Sequence, residues 1–70
     1  MMPLTMMKIG ETNSIKRISG KDEVRRHLEN LGFVAGEPVT VISELSGNVI
    51  LQIKDSRIAL DRSMANRIMV

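Results

Sequence analysis

Glu23 and His27 are the two residues whose types and spacing come closest to a metal site in this sequence. On a helix, side chains four residues apart lie on the same face, so this carboxylate and imidazole could share one ion. Two ligands make only a weak site, because a structural zinc ion takes four, and no third ligand is visible nearby. The simpler interpretation is a solvated pair that supports a helix.

Other chemistry has less support. The sequence contains no cysteine, and its one histidine therefore has no thiol to activate. The serines fall in predicted turns or strands, and no glycine cluster matches a phosphate-binding loop. Six methionines are present, but thioether ligands suit Cu(I), and methionine commonly fills gaps in cores. We expect Met64 and Met69 to do so, and we expect Met1, Met2, Met6 and Met7 to cover the outside of the fold. We expect no enzymatic activity.

The elements that must position these residues belong to a small chain. Seventy residues, 43% of them hydrophobic, predict one domain over residues 1–70 whose stability rests on aliphatic packing. The net charge is only +2, which does not demand a polyanionic partner. The first residues lack the basic start and long apolar run of a signal peptide. No apolar run approaches the roughly 20 residues that a membrane span needs, so a cytoplasmic location is expected.

One segment has the pattern of a helix. Val24, Leu28 and Leu31 recur at helical spacing, which predicts a helix over residues 20–31. Ser19 followed three residues later by Asp22 resembles a capping box. Gly32 follows the last apolar position, where a left-handed C-terminal cap favours glycine.

Most of the remaining chain has the pattern of strands. Alternating or β-branched residues predict strands at 13–19, 38–45, 49–54, 57–60 and 67–70. Ile15 and Ile18 are three apart, which suggests a bulge in the first strand, and residues 61–66 allow one helical turn. The pattern predicts a mainly β fold, a small antiparallel barrel of about five strands with one α-helix after the first strand.

The segment Leu31-Gly32-Phe33-Val34-Ala35-Gly36 contains the only aromatic residue. Phe33 follows the predicted helix cap and can fold back over the apolar stripe, so it is interpreted as a core residue, with a partner contact as the alternative. Ala35 and Gly36 match the two central positions of a type II turn, where glycine supplies the positive φ.

The order of these motifs resembles the FeoA family of small cytosolic SH3-like barrels associated with bacterial ferrous iron uptake. The resemblance rests on the opening Met7-Lys8-Ile9-Gly10-Glu11, on the helix ending in Leu31-Gly32, and on the closing segment from Ile58-Ala59-Leu60 to Ile68-Met69-Val70. Ile9 and Ala35 stand where the family usually has proline. The turn survives this departure because Gly36 is present.

The resemblance implies a non-catalytic accessory protein that docks on the cytoplasmic side of a membrane ferrous iron transporter coupled to a GTPase. No cofactor is expected to be required. Too few hard or imidazole ligands are present for a closed site, and there is no thiolate, so Fe(II) binding by the chain itself is expected to be weak at most. Two segments that should face solvent and carry apolar residues are the candidate partner sites. They consist of Phe33, Val34, Ala35, Gly36 and Glu37, and of Leu45, Ser46 and Asn48.

Two alternatives belong to other functional classes. A nucleic-acid-binding barrel stacks bases on aromatic side chains above a basic groove. This sequence has one aromatic residue, and Lys16-Arg17 with Arg25-Arg26 form a modest basic patch, so no nucleic-acid partner is expected. A metal-binding accessory domain like the barrel of iron-dependent repressors is the other alternative. The sequence leaves the oligomeric state open.

Overall fold

Six short strands and two helices make up the computed structural model, which describes residues 1–70. In chain order they are β1 Thr12–Ser14, β2 Arg17–Ile18, α1 Asp22–Asn30, β3 Pro38–Leu45, β4 Asn48–Ile53, β5 Ser56–Asp61, α2 Arg62–Ala65 and β6 Ile68–Met69, preceded by a 3-10 turn at Leu4–Met6. All pairings are antiparallel. The predicted mainly β, SH3-like fold is confirmed, with the strands in two sheets, β1-β3-β4-β5 and β2-β6.

The first predicted strand is two strands, because the chain crosses from one sheet to the other at Ile15 and Lys16. The Ile15 N–H donates to the Glu37 carbonyl at 2.9 Å, and the Lys16 N–H donates to the Met69 carbonyl at 2.7 Å. Ile15 is only 2% exposed at this crossing. The irregular spacing of Ile15 and Ile18 therefore marks a change of sheet rather than a bulge within one strand.

β3 and β4 form the central hairpin. Its turn places Ser46 at φ 51° and Gly47 at φ 82°, and positive φ at both central positions is typical of the type I′ turns that match strand twist. Val49, Leu51 and Ile53 on β4 are all buried, whereas the residues between them are more exposed. This alternation directs one face of the hairpin into the core.

The core is entirely apolar, and no polar or charged residue is buried. Its members are Leu4, Met7, Ile15, Leu28, Phe33, Val39, Val41, Val49, Leu51, Ile53, Leu60, Ala65, Ile68 and Val70. Met7 was expected to cover the outside, but it is only 7% exposed. The 3-10 turn directs it inward, since the Met7 N–H donates to the Leu4 carbonyl at 2.9 Å.

The C-terminus of α1 explains the position of Phe33. Gly32 has φ +107°, its N–H donates to the Glu29 carbonyl at 2.9 Å, and the Phe33 N–H donates to the Leu28 carbonyl at 3.0 Å. This is the pair of bonds of a Schellman motif, which brings the second residue after the cap against the helix's last turn. Phe33 and Leu28 are both fully buried. The predicted glycine cap and the interpretation of Phe33 as a core residue are confirmed.

The predicted cap at the other end of α1 is wrong. The N-cap residue is Lys21, and no side chain caps the helix. The Ser19 hydroxyl donates instead to the Arg67 carbonyl at 3.2 Å. Ser19 lies two residues before the true N-cap. It is held beside Arg67 because β2, which ends next to Ser19, pairs with β6.

Candidate functional site

The turn at residues 34–37 has the predicted type II geometry. The Glu37 N–H donates to the Val34 carbonyl at 3.1 Å, and Gly36, at the second central position, has φ +92°. The Gly36 N–H also donates to the Ile15 carbonyl at 2.8 Å. Glu37 lies 4.0 Å from the Lys54 amine. These bonds fix the turn beside the crossing point of the first two strands.

The side chains of this turn differ in what they offer to a partner. Phe33 is completely buried, so its ring cannot serve as a contact. Val34 and Glu37 are half-buried, and Ala35 and Gly36 are exposed. The turn therefore presents a small surface with little apolar area.

The β3–β4 hairpin tip offers a larger apolar contact. Leu45 is 67% exposed, and Ser46, Gly47 and Asn48 beside it are exposed as well. Glu44 accepts from the guanidinium of Arg62 at 3.2 Å, which joins the base of the tip to the start of α2. The tip thus combines an exposed leucine with a rigid two-residue turn.

The structure does not bring the two candidate segments together. The turn at residues 34–37 precedes β3, and the tip at residues 45–48 follows its last residues. The eight residues of β3 separate them, and the register of β3 against β4 shifts between Val41 and Ser43. The two segments lie at opposite ends of β3 and are therefore two separate candidate contacts.

The weak metal candidates lie apart from both segments. Glu23 and His27 are exposed on α1. No group of three or more His, Asp or Glu side chains is arranged to hold a metal ion.

The residues of the predicted basic patch are divided between α1, which carries Arg25 and Arg26, and the segment of β2. Arg25 pairs with Asp22, three residues earlier on the helix. Lys16 and Arg17 lie at the β2–β6 sheet and are exposed. The surface has no pocket, and none of the helices is long and apolar enough to cross a membrane.

Met1 and Met6 are 74% and 68% exposed, as expected. Sequence reasoning missed two other exposed features. The first is Ile9, which is 64% exposed, and the second is a sheet edge. β5 is an edge strand of the four-stranded sheet. The sequence marks β5 as a strand, but which strands become edges depends on the order of pairing, which short strands do not encode locally.

Comparison with known proteins identifies the fold and its relatives. The FeoA domain model matches residues 2–70 of the chain. A Methanocaldococcus jannaschii protein, provisionally named Fe(2+) transport protein A, is 36% identical over 70 residues, covering 100% of this chain and 85% of the relative.

Two solved structures have the same fold. A crystal structure of FeoA, described as an iron uptake regulatory protein, superposes with a TM-score of 0.86 at 27% identity and covers 96% of this chain and 89% of the other. FeoA of Stenotrophomonas maltophilia was crystallised with zinc. It has a TM-score of 0.86 at 25% identity, over 99% and 88% of the two chains, and is described as an SH3 domain protein and a candidate activating factor of ferrous iron transport.

Proposed function

Because this chain belongs to the FeoA domain family, we propose that it is a non-catalytic accessory protein of ferrous iron uptake. It docks on the cytosolic side of a membrane Fe(II) transporter that is coupled to a GTPase. The observation that carries this proposal is the family match over residues 2–70. The iron-transport name of the M. jannaschii relative supports it.

The surface suits action by contact. Enzyme and small-molecule sites are usually concave pockets, and this surface has no pocket and no converging metal ligands. Such a chain influences transport by holding or shifting a conformation of its partner, which requires that it bind one state of the transporter more tightly than another.

The hairpin tip is the favoured docking end. Leu45 is the most exposed large apolar side chain outside the N-terminal residues, and it stands on a hairpin whose turn and ion pair fix its position. A few residues that become buried at the centre of a contact supply most of its binding energy, and Leu45 is the large apolar side chain that the tip can bury in this way. The turn at residues 34–37 is the second candidate end.

The contact is expected to be transient. A standard interface buries about 800 Å² on each partner, and that would take nearly a fifth of this chain's 4349 Å² surface. A single hairpin tip covers less than that. We therefore expect micromolar or weaker affinity, with a dependence on the nucleotide bound to the GTPase.

Chemical-shift mapping of the labelled chain tests this proposal. The titrant is the transporter's cytosolic GTPase-containing region without nucleotide, with GDP or with a GTP analogue, and the full-length transporter in detergent. We expect shifts at residues 44–49 in at least one nucleotide state. Leu45→Asp should weaken binding about tenfold or more while leaving stability within roughly 0.5 kcal/mol, because the side chain is exposed.

Ala35→Asp is the matched control, since it adds the same charge at the exposed turn at the opposite end. If Ala35→Asp or Val34→Asp weakens binding and Leu45→Asp does not, the docking end is the turn. If no shift appears in any nucleotide state or with the full-length transporter, docking itself is contradicted.

A further inference from the structure

β5 is a free edge of the four-stranded sheet, and we propose that it is a dimerisation surface. A second copy of this chain adds its own β5 in antiparallel orientation, with the two-fold axis passing between the two Ala59 residues. The sheets of the two copies then join into one continuous sheet of eight strands.

The hydrogen-bonding groups of this edge follow from the turn between β4 and β5. Ile53 stands opposite Ser56 across a two-residue turn, and the first and last residues of such a turn bond to each other. Bonded and non-bonded pairs alternate along an antiparallel ladder. Ile58 and Leu60 therefore bond to β4, and the backbone groups of residues 57, 59 and 61 point away from it.

The other hairpin gives the same alternation independently. Leu45 stands opposite Asn48 across its two-residue turn, so Asn48 bonds to β3 and the next residue, Val49, bonds to β5. Apart from the ladder with β4, no backbone hydrogen bond involves Arg57 or Ala59. Their N–H and carbonyl groups are thus available to a further strand.

The side chains of this edge are complementary to themselves. Arg57, Ala59 and Asp61 are exposed on one face of β5. With the two-fold axis at Ala59, Arg57 of each copy stands directly opposite Asp61 of the second copy. Opposite charges in that position stabilise an antiparallel pair. Parallel addition in register would instead place Arg57 beside Arg57, so the charge pattern selects the antiparallel arrangement.

Both charged groups keep free atoms for this contact. Arg57 donates through Nε to Gln52 at 3.1 Å, and its two terminal nitrogens remain. Asp61 accepts the Met64 N–H through Oδ1 at 2.7 Å, and Oδ2 remains. The Asp61 carbonyl is occupied because an N-cap residue accepts the first bond of its helix. The inward face adds half-buried Ile58 opposite Leu60 of the second copy.

Three of the usual protections against pairing are missing from this edge. Exposed edges are blunted by proline, a bulge, short length or charged side chains, and the charges of β5, Arg57 and Asp61, are of opposite sign and pair with each other across the two-fold axis. β5 has six residues, no proline and an uninterrupted register with β4, whereas the opposite edge strand β1 has three residues. The contact is small, so the dimer is weak and reversible, and salt weakens it because its ion pairs are exposed.

Sedimentation equilibrium from micromolar to millimolar concentration at low salt measures this association. Ala59→Pro removes the outward N–H without disturbing the bonds to β4, and it should abolish the dimer, whereas Ala35→Pro serves as a control at an exposed turn. Arg57→Glu turns two opposite-charge pairs into like-charge pairs and should weaken association about tenfold. Arg26→Glu makes the same charge change on α1 and should not.

A cysteine reports the register. The chain has no cysteine, so Ala59→Cys can form a disulfide only between copies. A hydrogen-bonded pair places its Cα atoms about 5.5 Å apart, within disulfide range. Mild oxidation should crosslink Ala59→Cys faster than Ala35→Cys, which is exposed but distant from the edge.

The proposal is overturned by a monomer at every concentration, by a dimer that survives Ala59→Pro, or by equal effects of Arg57→Glu and Arg26→Glu. Equal crosslinking of the two cysteine variants contradicts the register. If the β5 amides shift when the transporter region is added and the chain does not self-associate, the edge binds the transporter and not a second copy.

Discussion

Phe33 owes its burial to its neighbour. Gly32 takes a φ of +107°, which residues with a Cβ adopt at a cost of roughly 1–2 kcal/mol or more, and this reversal turns the chain so that Phe33 packs on Leu28. The sequence predicted both the cap and the core position. The single aromatic residue, which directly follows the glycine cap, is thus a structural residue. Its burial removes it from the predicted contact segment.

Ala35 gives a residue-scale prediction about the turn. At the first central position of a type II turn, φ is already near the value that proline fixes, and the Ala35 N–H makes no backbone hydrogen bond. Ala35→Pro should therefore stabilise the protein by about 0.4–1 kcal/mol, because it restricts the unfolded chain. Chemical denaturation measures this.

Gly36→Ala is the companion variant for that measurement. No atom lies within 4 Å of the Cβ that it would add, so only its positive φ opposes the change, and it should destabilise. A lower stability for Ala35→Pro, or no loss for Gly36→Ala, would show that the turn type is wrong.

Glu11 gives a prediction about pH. The Glu11 carboxylate accepts a hydrogen bond from the backbone N–H of Lys8 at 2.9 Å and another from the side-chain amide of Asn13 at 3.0 Å. These two bonds, together with the nearby Lys8 charge, lower the pKa of Glu11. Because the folded pKa is below the ordinary value of about 4.3, the stabilisation is complete above that value and is lost as the pH falls through the folded pKa.

Carboxyl-detected NMR titration follows Glu11 directly. Asn13→Ala should raise its pKa only part of the way to the ordinary value, because the Lys8 N–H, the largest cause, remains. A Glu11 pKa at or above its ordinary value would contradict the two bonds.

At the scale of elements, one side chain caps the start of α2. Asp61 is its N-cap, and Oδ1 accepts the Met64 N–H. Asp61→Ala should cost about 1 kcal/mol, within the usual range for lost caps, while Asp61→Asn keeps the acceptor and should cost less. Thermal unfolding compares the two.

Ser19→Ala completes that comparison, because the Ser19 hydroxyl bonds to the Arg67 carbonyl and caps no helix. Its loss should be smaller than that of Asp61→Ala. An equal or larger loss would restore Ser19 to the role of a helix cap that the sequence pattern suggested.

Elements were predictable where their signals are local. The spacing of apolar residues located α1, and alternation with turn residues located β3, β4 and β5. The division of the first strand was not predictable, because Ile15 and Lys16 bond to Glu37 and Met69, which are distant in sequence. The cap of α1 failed for the same reason, since tertiary pairing beside Arg67 used the hydroxyl that a local rule had assigned to the helix.

At the scale of the whole molecule, the two candidate contact segments separate and the sheet edge appears. The two segments were predicted from their apolar residues, but they lie at opposite ends of β3. β5 ends beside the hairpin tip, since Asp61 stands opposite Asn48. In an antiparallel β5 dimer the two tips point in opposite directions, so the two copies cannot present their tips to one membrane surface together.

Docking and dimerisation therefore use different parts of the surface, the hairpin tip and the edge of β5. Leu45→Asp changes the tip and leaves the outward backbone of β5 intact, and Ala59→Pro does the reverse. Uptake that depends on Leu45 and tolerates Ala59→Pro would show that the monomer suffices for transport.

Anaerobic uptake of radiolabelled Fe(II) tests the central claim most directly. The cells should carry the ferrous iron transporter but lack its own small FeoA protein, with this chain supplied from a plasmid alongside the transporter it serves. We predict that uptake rises with the wild-type chain and with Ala35→Asp, rises much less with Leu45→Asp at equal protein level, and does not change in cells that lack the transporter. Uptake that is the same with and without the chain, or that rises in the absence of the transporter, would contradict an accessory role in ferrous iron uptake.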